Sequence, residues 1–377
     1  MTRVSPTTEG NANRRKGTYV TGPLAGLRVL EMAGMGPGPF AAMLLADMGA
    51  DVVRIDRADR ETRVGPTDRG RRRIAIDLKQ PSGVERVLQL ATGADVLIEG
   101  FRPGTMERLG LGPDECLGRN EKLIYARMTG WGQSGPLARS VGHDINYISI
   151  AGALGAIGRT DEPPTVPLNL VGDYGGGAMY LLYGIMCALF ERSRSGQGQV
   201  VDAAMVDGAA SLMTTFHWNR SVGRHSDRRG TNRLDSGAFF YDVYETADGG
   251  FMAVGCIEPQ FYRAFRDVLG LEGPEWDDAQ ADVESWPERK KEIAALFRTR
   301  TREQWCNAFD GVDACVTPVL SLDEVPGHEH NRHRELIQEF AGGLVPGVAP
   351  RLSRTPGAVA DRAPAELDDV LAEWGES

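Results

Sequence analysis

The sequence predicts an α/β protein with a large doubly wound, Rossmann-like domain and a smaller α+β domain. Short apolar strand candidates alternate with helical periodicity from residue 27 to 128, as a parallel sheet with crossover helices requires. From about residue 225 the texture shifts to hairpin and helix signals. The length, 377 residues, exceeds a usual domain of roughly 100–200.

The elements follow in order. LRVLEM (27–32) is a strand, and GMGPGP (34–39) a glycine- and proline-rich turn. Phe40, Met43, Leu44 and Met48 mark one face of a helix, with Asp47 at the edge of the apolar stripe. ADVVRID (50–56) closes a β-α-β unit, which implies a parallel pair with a right-handed crossover. RRIAIDL (72–78) is a strand, then a helix enters through Pro81-Ser82. DVLIEG (95–100), a short helix around 106–109 and KLIYARM (122–128) continue the alternation. Asp173-Tyr174-Gly175-Gly176-Gly177 opens a long apolar helix to about Glu191, and GQVVDAAMV (198–206) is the next strand. Runs at 239–246 and 251–256 flank an Ala-Asp-Gly-Gly turn, a hairpin signal. Helices are expected at 258–269, 288–299, 302–310 and 364–374. The domain plan is a loose tail (1–22), a large domain (23–205 and 335–377), a linker (206–224) and a small domain (225–334).

Composition narrows the function. With 41% apolar and 25% charged residues this is an ordinary globular chain. A net charge of −10 argues against a general nucleic-acid binder. No apolar run approaches the roughly 18 residues of a membrane span. The five cysteines are scattered without a C-x-x-C pair, which fits a reducing cytoplasm. The first 22 residues lack the apolar core of a secretory signal.

Six places invite a chemical reading. The glycine turn at 34–39 with Asp56 some 20 residues on suggests a dinucleotide site, but its spacing is not G-x-G-x-x-G and its prolines remove backbone donors. A tight strand–helix turn with Pro39 at the helix start is the alternative. Nine cations crowd residues 54–79 (Arg54, Arg57, Arg60, Arg63, Arg69, Arg71, Arg72, Arg73 and Lys79) against Asp56, Asp59, Glu61, Asp68 and Asp77, with Arg102 and Arg108 following. They read either as solvated surface or as a site for a polyphosphorylated small molecule at the strand ends. His143 is a structural histidine or a catalytic one. Asp173 is a helix N-cap or an acid/base at a helix N-terminus, and Glu258 has the same two readings. HEHNRH (328–333) has the histidines of a metal site without a carboxylate at zincin spacing, and reads as an exposed helix or loop.

Together the motifs have a familiar order. PLAGLRVLEMAGMGPGPFAAMLLADMGADVVRIDR, DLK, IEGFRPG, GHDINYISIAG, GDYGGGAM and AVGCIEPQF resemble the α-methylacyl-CoA racemases, a branch of the family III CoA-transferase (CaiB/BaiF-type) superfamily. The resemblance spans about Leu24 to Leu320 and continues weakly beyond. It implies epimerisation of (R)- and (S)-2-methylacyl-CoA thioesters in fatty-acid or lipid metabolism, with no cofactor beyond the CoA of the substrate. It implies that His143 and Asp173 are the acid/base pair, that Glu99 orients His143 and that Glu258 pairs with Asp173. Arg57, Ile76, Asp77, Leu78, Lys79, Gly100, Phe101, Arg102 and Arg108 would hold CoA. Gly142, Asp144, Ile145, Asn146 and Tyr147 would line the acyl-thioester pocket. It also implies an interlocked homodimer, with Glu258 supplied by the partner chain.

Inverting a carbon beside a thioester needs one group to remove the hydrogen and another to return one on the opposite face. Neutral His143 with protonated Asp173 serves one direction and the reversed pair the other. Enolate stabilisation needs aimed donors, and the N–H groups of Gly175–Gly177 are the expected supply. The alternative is a CoA-transferase with Asp173 as nucleophile, for which His143 has no task.

Overall fold

The computed structural model describes residues 22–58 and 65–375; most of the expected tail, together with Arg60 and Arg63 of the cationic stretch, lies outside them. Six parallel strands form the central sheet: β1 (Arg28–Met32), β2 (Asp51–Arg57), β3 (Arg71–Ile76), β4 (Val96–Glu99), β5 (Ile124–Thr129) and β6 (Gln199–Ala204). Their order is β3-β2-β1-β4-β5-β6, so the winding reverses between β1 and β4. In such sheets the crevice beyond the carboxyl ends at the reversal is where ligands bind.

Helices cover both faces. On one lie α1 (Pro37–Asp47) and, later, α7; on the other lies α2 (Pro81–Gly93) with the short α3 (Thr105–Arg108) and α4 (Pro113–Arg119). Alternate strand residues feed the two cores: Val29, Val52 and Val96 face α1, while Leu30, Val53 and Leu97 face α2. Between β5 and β6 the chain makes a long excursion through α5 (Asp144–Ile150), α6 (Ala153–Ala156), a π-helical turn (Leu170–Ala178) and α7 (Met179–Ser195). Residues 206–224, expected as a linker, are largely helical: α8 (Met205–Leu212) and α9 (Thr214–Ser221). The connection is helical because Ala209 buries its side chain with Ile148, Ala151 and Ala153.

The smaller unit has a three-stranded antiparallel sheet of β7 (Tyr241–Glu245), β8 (Phe251–Gly255) and β9 (Val316–Pro318). Helices α10 (Pro259–Leu269), α11 (Pro274–Asp277), α12 (Trp286–Phe297) and α13 (Arg302–Phe309) pack around an aromatic core of Phe239, Phe240, Phe265, Trp286, Phe297 and Trp305. HEHNRH contains the exposed short helix α14 (Glu329–His333), and β10 (Ile337–Phe340) pairs with β11 (Gly343–Pro346). The chain then returns along the β3 edge. Gly70 N–H donates to the Ala360 carbonyl at 2.7 Å, and α15 (Leu367–Gly375) seats Val370 and Trp374 in the α2 core.

Two sequence expectations change here. Asp47 is no edge residue: it is buried, and its carboxylate receives Arg69 Nε at 2.9 Å and Nη2 at 2.6 Å. Much of the cationic stretch is also spent inside the protein. Arg71 is fully buried on Glu31 and Asp68, Arg54 joins Asp56 and Asp68, Arg72 joins Asp51, and Arg73 joins Asp56. A guanidinium out of water needs a carboxylate, so these arginines lace β1, β2 and β3 together. They are not a phosphate cradle.

Candidate active site

The turn after β1 leads into the crevice. Gly36 has φ +70° and ψ −124°, a region essentially restricted to glycine, and Pro37 follows as the first residue of α1. A Cβ on Gly36 would lie 3.3 Å from Asp173 Oδ2. The turn thus makes room for a carboxylate at the sheet reversal rather than for a pyrophosphate.

Asp173 sits inside the π-helical turn. Asn169 Nδ2 donates to its Oδ2 at 3.1 Å. Burial raises the Asp173 pKa above the ordinary carboxylate value, and the nearby charge of Asp144 raises it further; the Asn169 hydrogen bond and His143 act the other way. His143 is therefore in electrostatic reach of Asp173. It is exposed, extended (φ −130°, ψ 177°) and caps α5, with its own N–H donating to Asn146 Oδ1 at 3.0 Å. The two candidates lie near each other at the crevice, with Asp144 at the contact between the segments that carry them.

Asp144, the next residue, points inward. Its Oδ2 accepts from Gly172 N–H at 2.6 Å and from Asp173 N–H at 2.7 Å. Behind α5, Tyr147 is buried, donates its hydroxyl to the Gly142 carbonyl and meets Trp131 edge-on at 4.8 Å. The stretch 142–147 is thus split: Ile145 and Asn146 are exposed, while Asp144 and Tyr147 are structural supports.

The glycine run has a different purpose from the one expected. In a π-helix each N–H bonds five residues back, so those of Gly175–Gly177 are engaged by residues 170–172. They are not waiting for an enolate. The glycines admit α8 instead: a Cβ on Gly176 would be 2.6 Å from Ala209 N, and one on Gly208 would fall inside the Gly176 carbonyl.

The two glutamates lie apart from the pair. Glu99, 1% exposed at the end of β4, receives Arg127 Nε at 2.8 Å on Oε1 and Phe101 N–H at 2.7 Å on Oε2. Burial raises its pKa despite these bonds. Both oxygens are thereby given to groups other than His143. Glu258 is exposed at the N-cap of α10 in the small unit, where its charge bears on Cys315. The CoA candidates gather at the carboxyl ends of β2, β3 and β4: Arg57 opposite Ile76, then Asp77, Leu78 and Lys79, then Gly100, Phe101 and Arg102, with Arg108 on α3. Arg102 and Arg108 are exposed, and Arg108 Nη2 donates to Thr105 Oγ1 at 3.0 Å.

Sequence reasoning missed Asn169, Arg127 and the contact between Gly36 and Asp173. Only Asn169 left a signal, a carboxamide four residues before Asp173. The other two depend on crossings between strands and helices far apart in the chain.

The chain is 48% identical to the alpha-methylacyl-CoA racemase of Mus musculus and 46% identical to that of Homo sapiens, over 94% of each chain in both cases. A crystal structure of a Mycobacterium tuberculosis protein superposes with a TM-score of 0.77 at 27% identity, covering 93% of this chain and 98% of that one. The profile of CoA-transferase family III matches residues 24–368, and the chain belongs to that family.

Proposed function

We propose that this protein interconverts (R)- and (S)-2-methylacyl-CoA thioesters by two-base 1,1-proton transfer. The observation that carries the reading is the closeness of His143 and Asp173 at the sheet reversal: Asp144, the neighbour of His143, bonds the Asp173 backbone, and a half-buried carboxyl with a raised pKa lies within electrostatic reach of an exposed imidazole. The similarity to two racemases over nearly the whole chain supports it. The competent enzyme carries one proton on the pair, on either member, so both directions draw on the same protonation level. CoA, held by Arg102, Arg108 and the strand-end residues, supplies the binding energy that fixes the reacting carbon. The enolate is stabilised by donors other than the Gly175–Gly177 amides. No cofactor enters this chemistry.

The enzyme acts as a homodimer in the cytoplasm. Met179, Tyr183, Met186 and Phe190 form an exposed stripe along α7, continued by Val200 on the edge strand β6; such a patch on a soluble surface marks an interface. A partner seated across the crevice brings its own Glu258 to Asp173. All five cysteines are free thiols, and no helix among the described residues is long and apolar enough to cross a membrane.

NMR of (S)-2-methylacyl-CoA with the enzyme in D2O, with and without an added carboxylic acid, tests the reading. Deuterium at the α-carbon with both epimers appearing is expected. CoA passing to the added acid, with the α-hydrogen retained, would make Asp173 a transferase nucleophile.

A further inference from the structure

We propose that Asp144 is a positioning residue for the proton-transfer pair, a single buried carboxylate that fixes Asp173 relative to His143 and holds a negative charge beside it. The proposal rests on the racemase reading above and concerns a residue the reaction itself does not consume.

The geometry is specific. Asp144 follows His143 directly and begins α5, so any movement of its carboxylate is passed to the imidazole through one peptide unit. At its other end the same carboxylate grips the backbone of the second base, through Gly172 N–H and Asp173 N–H. Those two amides belong to the first turn of the π-helix, whose leading N–H groups have no partner within the helix. Gly172 has to be glycine for this approach: a Cβ there would lie 2.5 Å from Asp144 Oδ2 and 2.8 Å from its Cγ. The segment carrying Asp173 therefore closes onto Asp144 at backbone contact.

The second oxygen makes the residue more than a cap. Asp144 is 6% exposed, and its buried Oδ1 has no hydrogen-bond partner. Among the described residues no arginine or lysine forms an ion pair with it. A neutral acceptor such as Asn satisfies two amides at lower desolvation cost, whereas a buried carboxylate that holds two amides on one oxygen and no partner on the other is more expensive to keep. What that charge faces is Asp173, on which it acts in the direction of holding the proton. Among the described residues, the other charged or titratable groups near Asp173 are His143 at the head of α5, which opposes it, Tyr147 on α5 and the adjacent Tyr174; Asp207 on α8 is exposed, and α1 with the turn before it presents Gly36, Pro37 and Phe40, none of which titrates. Asp144 thus sets both where Asp173 stands and how readily it keeps a proton.

Two variants separate these effects. In Asp144→Asn the carbonyl still accepts from both amides, and the charge is gone. Asp173 then loses its proton more easily, so the acid limb of the kcat/KM profile, where the pair becomes doubly protonated, moves to lower pH. Because both directions use the singly protonated pair, the shift is the same from (R) and from (S) substrate. In Asp144→Ala the acceptor is lost too, the Asp173 backbone is released, and kcat falls by about 10²-fold, the usual cost of an ångström-scale misplacement. KM for the CoA ester stays near wild type, since the CoA site lies on other strands. Circular dichroism and a thermal melt accompany both variants; should Asp144→Ala fail to fold, Asp144→Asn alone decides the matter. An Asp144→Asn enzyme with the wild-type acid limb would overturn the proposal while leaving the racemase reading intact. Wild-type enzyme that exchanges no α-hydrogen would overturn the racemase reading first, and that result is read before either variant.

Discussion

Gly36 concentrates the residue-scale argument. Its dihedral angles suit glycine alone, and a side chain there would press on the Asp173 carboxylate. Gly36→Ala adds backbone strain of order 1–3 kcal/mol and puts a methyl group 3.3 Å from Asp173 Oδ2. The expected outcome is a lowered melting temperature with a larger fall in kcat than the stability loss explains, measured by calorimetry and steady-state kinetics on one preparation. Unchanged kcat would detach the turn from the site. At this scale the sequence offered the right residue types but not their arrangement: GHDINY and GDYGGG supply His143, Asp144 and Asp173, and only the fold shows Asp144 bonded to the Asp173 backbone. It was unreadable where a partner lies far along the chain. Glu99 is bound to Arg127, 28 residues on, because β4 and β5 run side by side with Glu99 opposite Arg127, a register that no local spacing announces. The buried arginines of β3 were likewise invisible as structural ions, since their carboxylates come from β1, β2 and the turn at residue 68.

At the scale of elements, short apolar runs and the 3.6-residue period located the six parallel strands and the helices α1, α2, α3 and α7 to within a few residues, because buried parallel strands are continuous apolar runs bounded by glycine and proline. The π-helical turn escaped. Leu-Val-Gly-Asp-Tyr-Gly-Gly-Gly-Ala has neither a π signature nor good helix propensity, and its glycines look like anion-cradle glycines. Packing decides otherwise. Gly176 and Gly208 let the turn and α8 touch backbone to backbone, and a wider π geometry turns Asp173 toward Gly36 while Asp144 holds the amides behind it. The small helices α4, α5 and α6 were also missed, being too short to show a period.

For the whole molecule, the reversal of strand order between β1 and β4 explains why residues from five parts of the chain converge. The turn after β1, the ends of β2, β3 and β4, and the excursion after β5 all open on the same crevice. The exposed stripe on α7 and the exposed Glu258 extend the argument to a second copy. Tyr183 is 69% exposed and Phe190 67% exposed, one helical face from the buried Leu181 and Ile185. Tyr183→Glu combined with Phe190→Glu leaves the core untouched and places two charges on that face. Under the proposed homodimer, sedimentation should report dimer for the wild type and monomer for this variant, with loss of racemisation; a variant that sediments as the wild type and stays active would remove α7 from the proposed interface.

The most direct test of the central claim follows α-deuteration from each pure epimer of 2-methylacyl-CoA in D2O with His143→Ala. With His143 gone, Asp173 still removes and returns a proton on its own face. One epimer is predicted to gain deuterium without inverting, while the other stays unlabelled and racemisation ceases. Equal labelling of both epimers, or racemisation at the wild-type rate, would contradict a mechanism in which His143 and Asp173 work from opposite faces of the α-carbon.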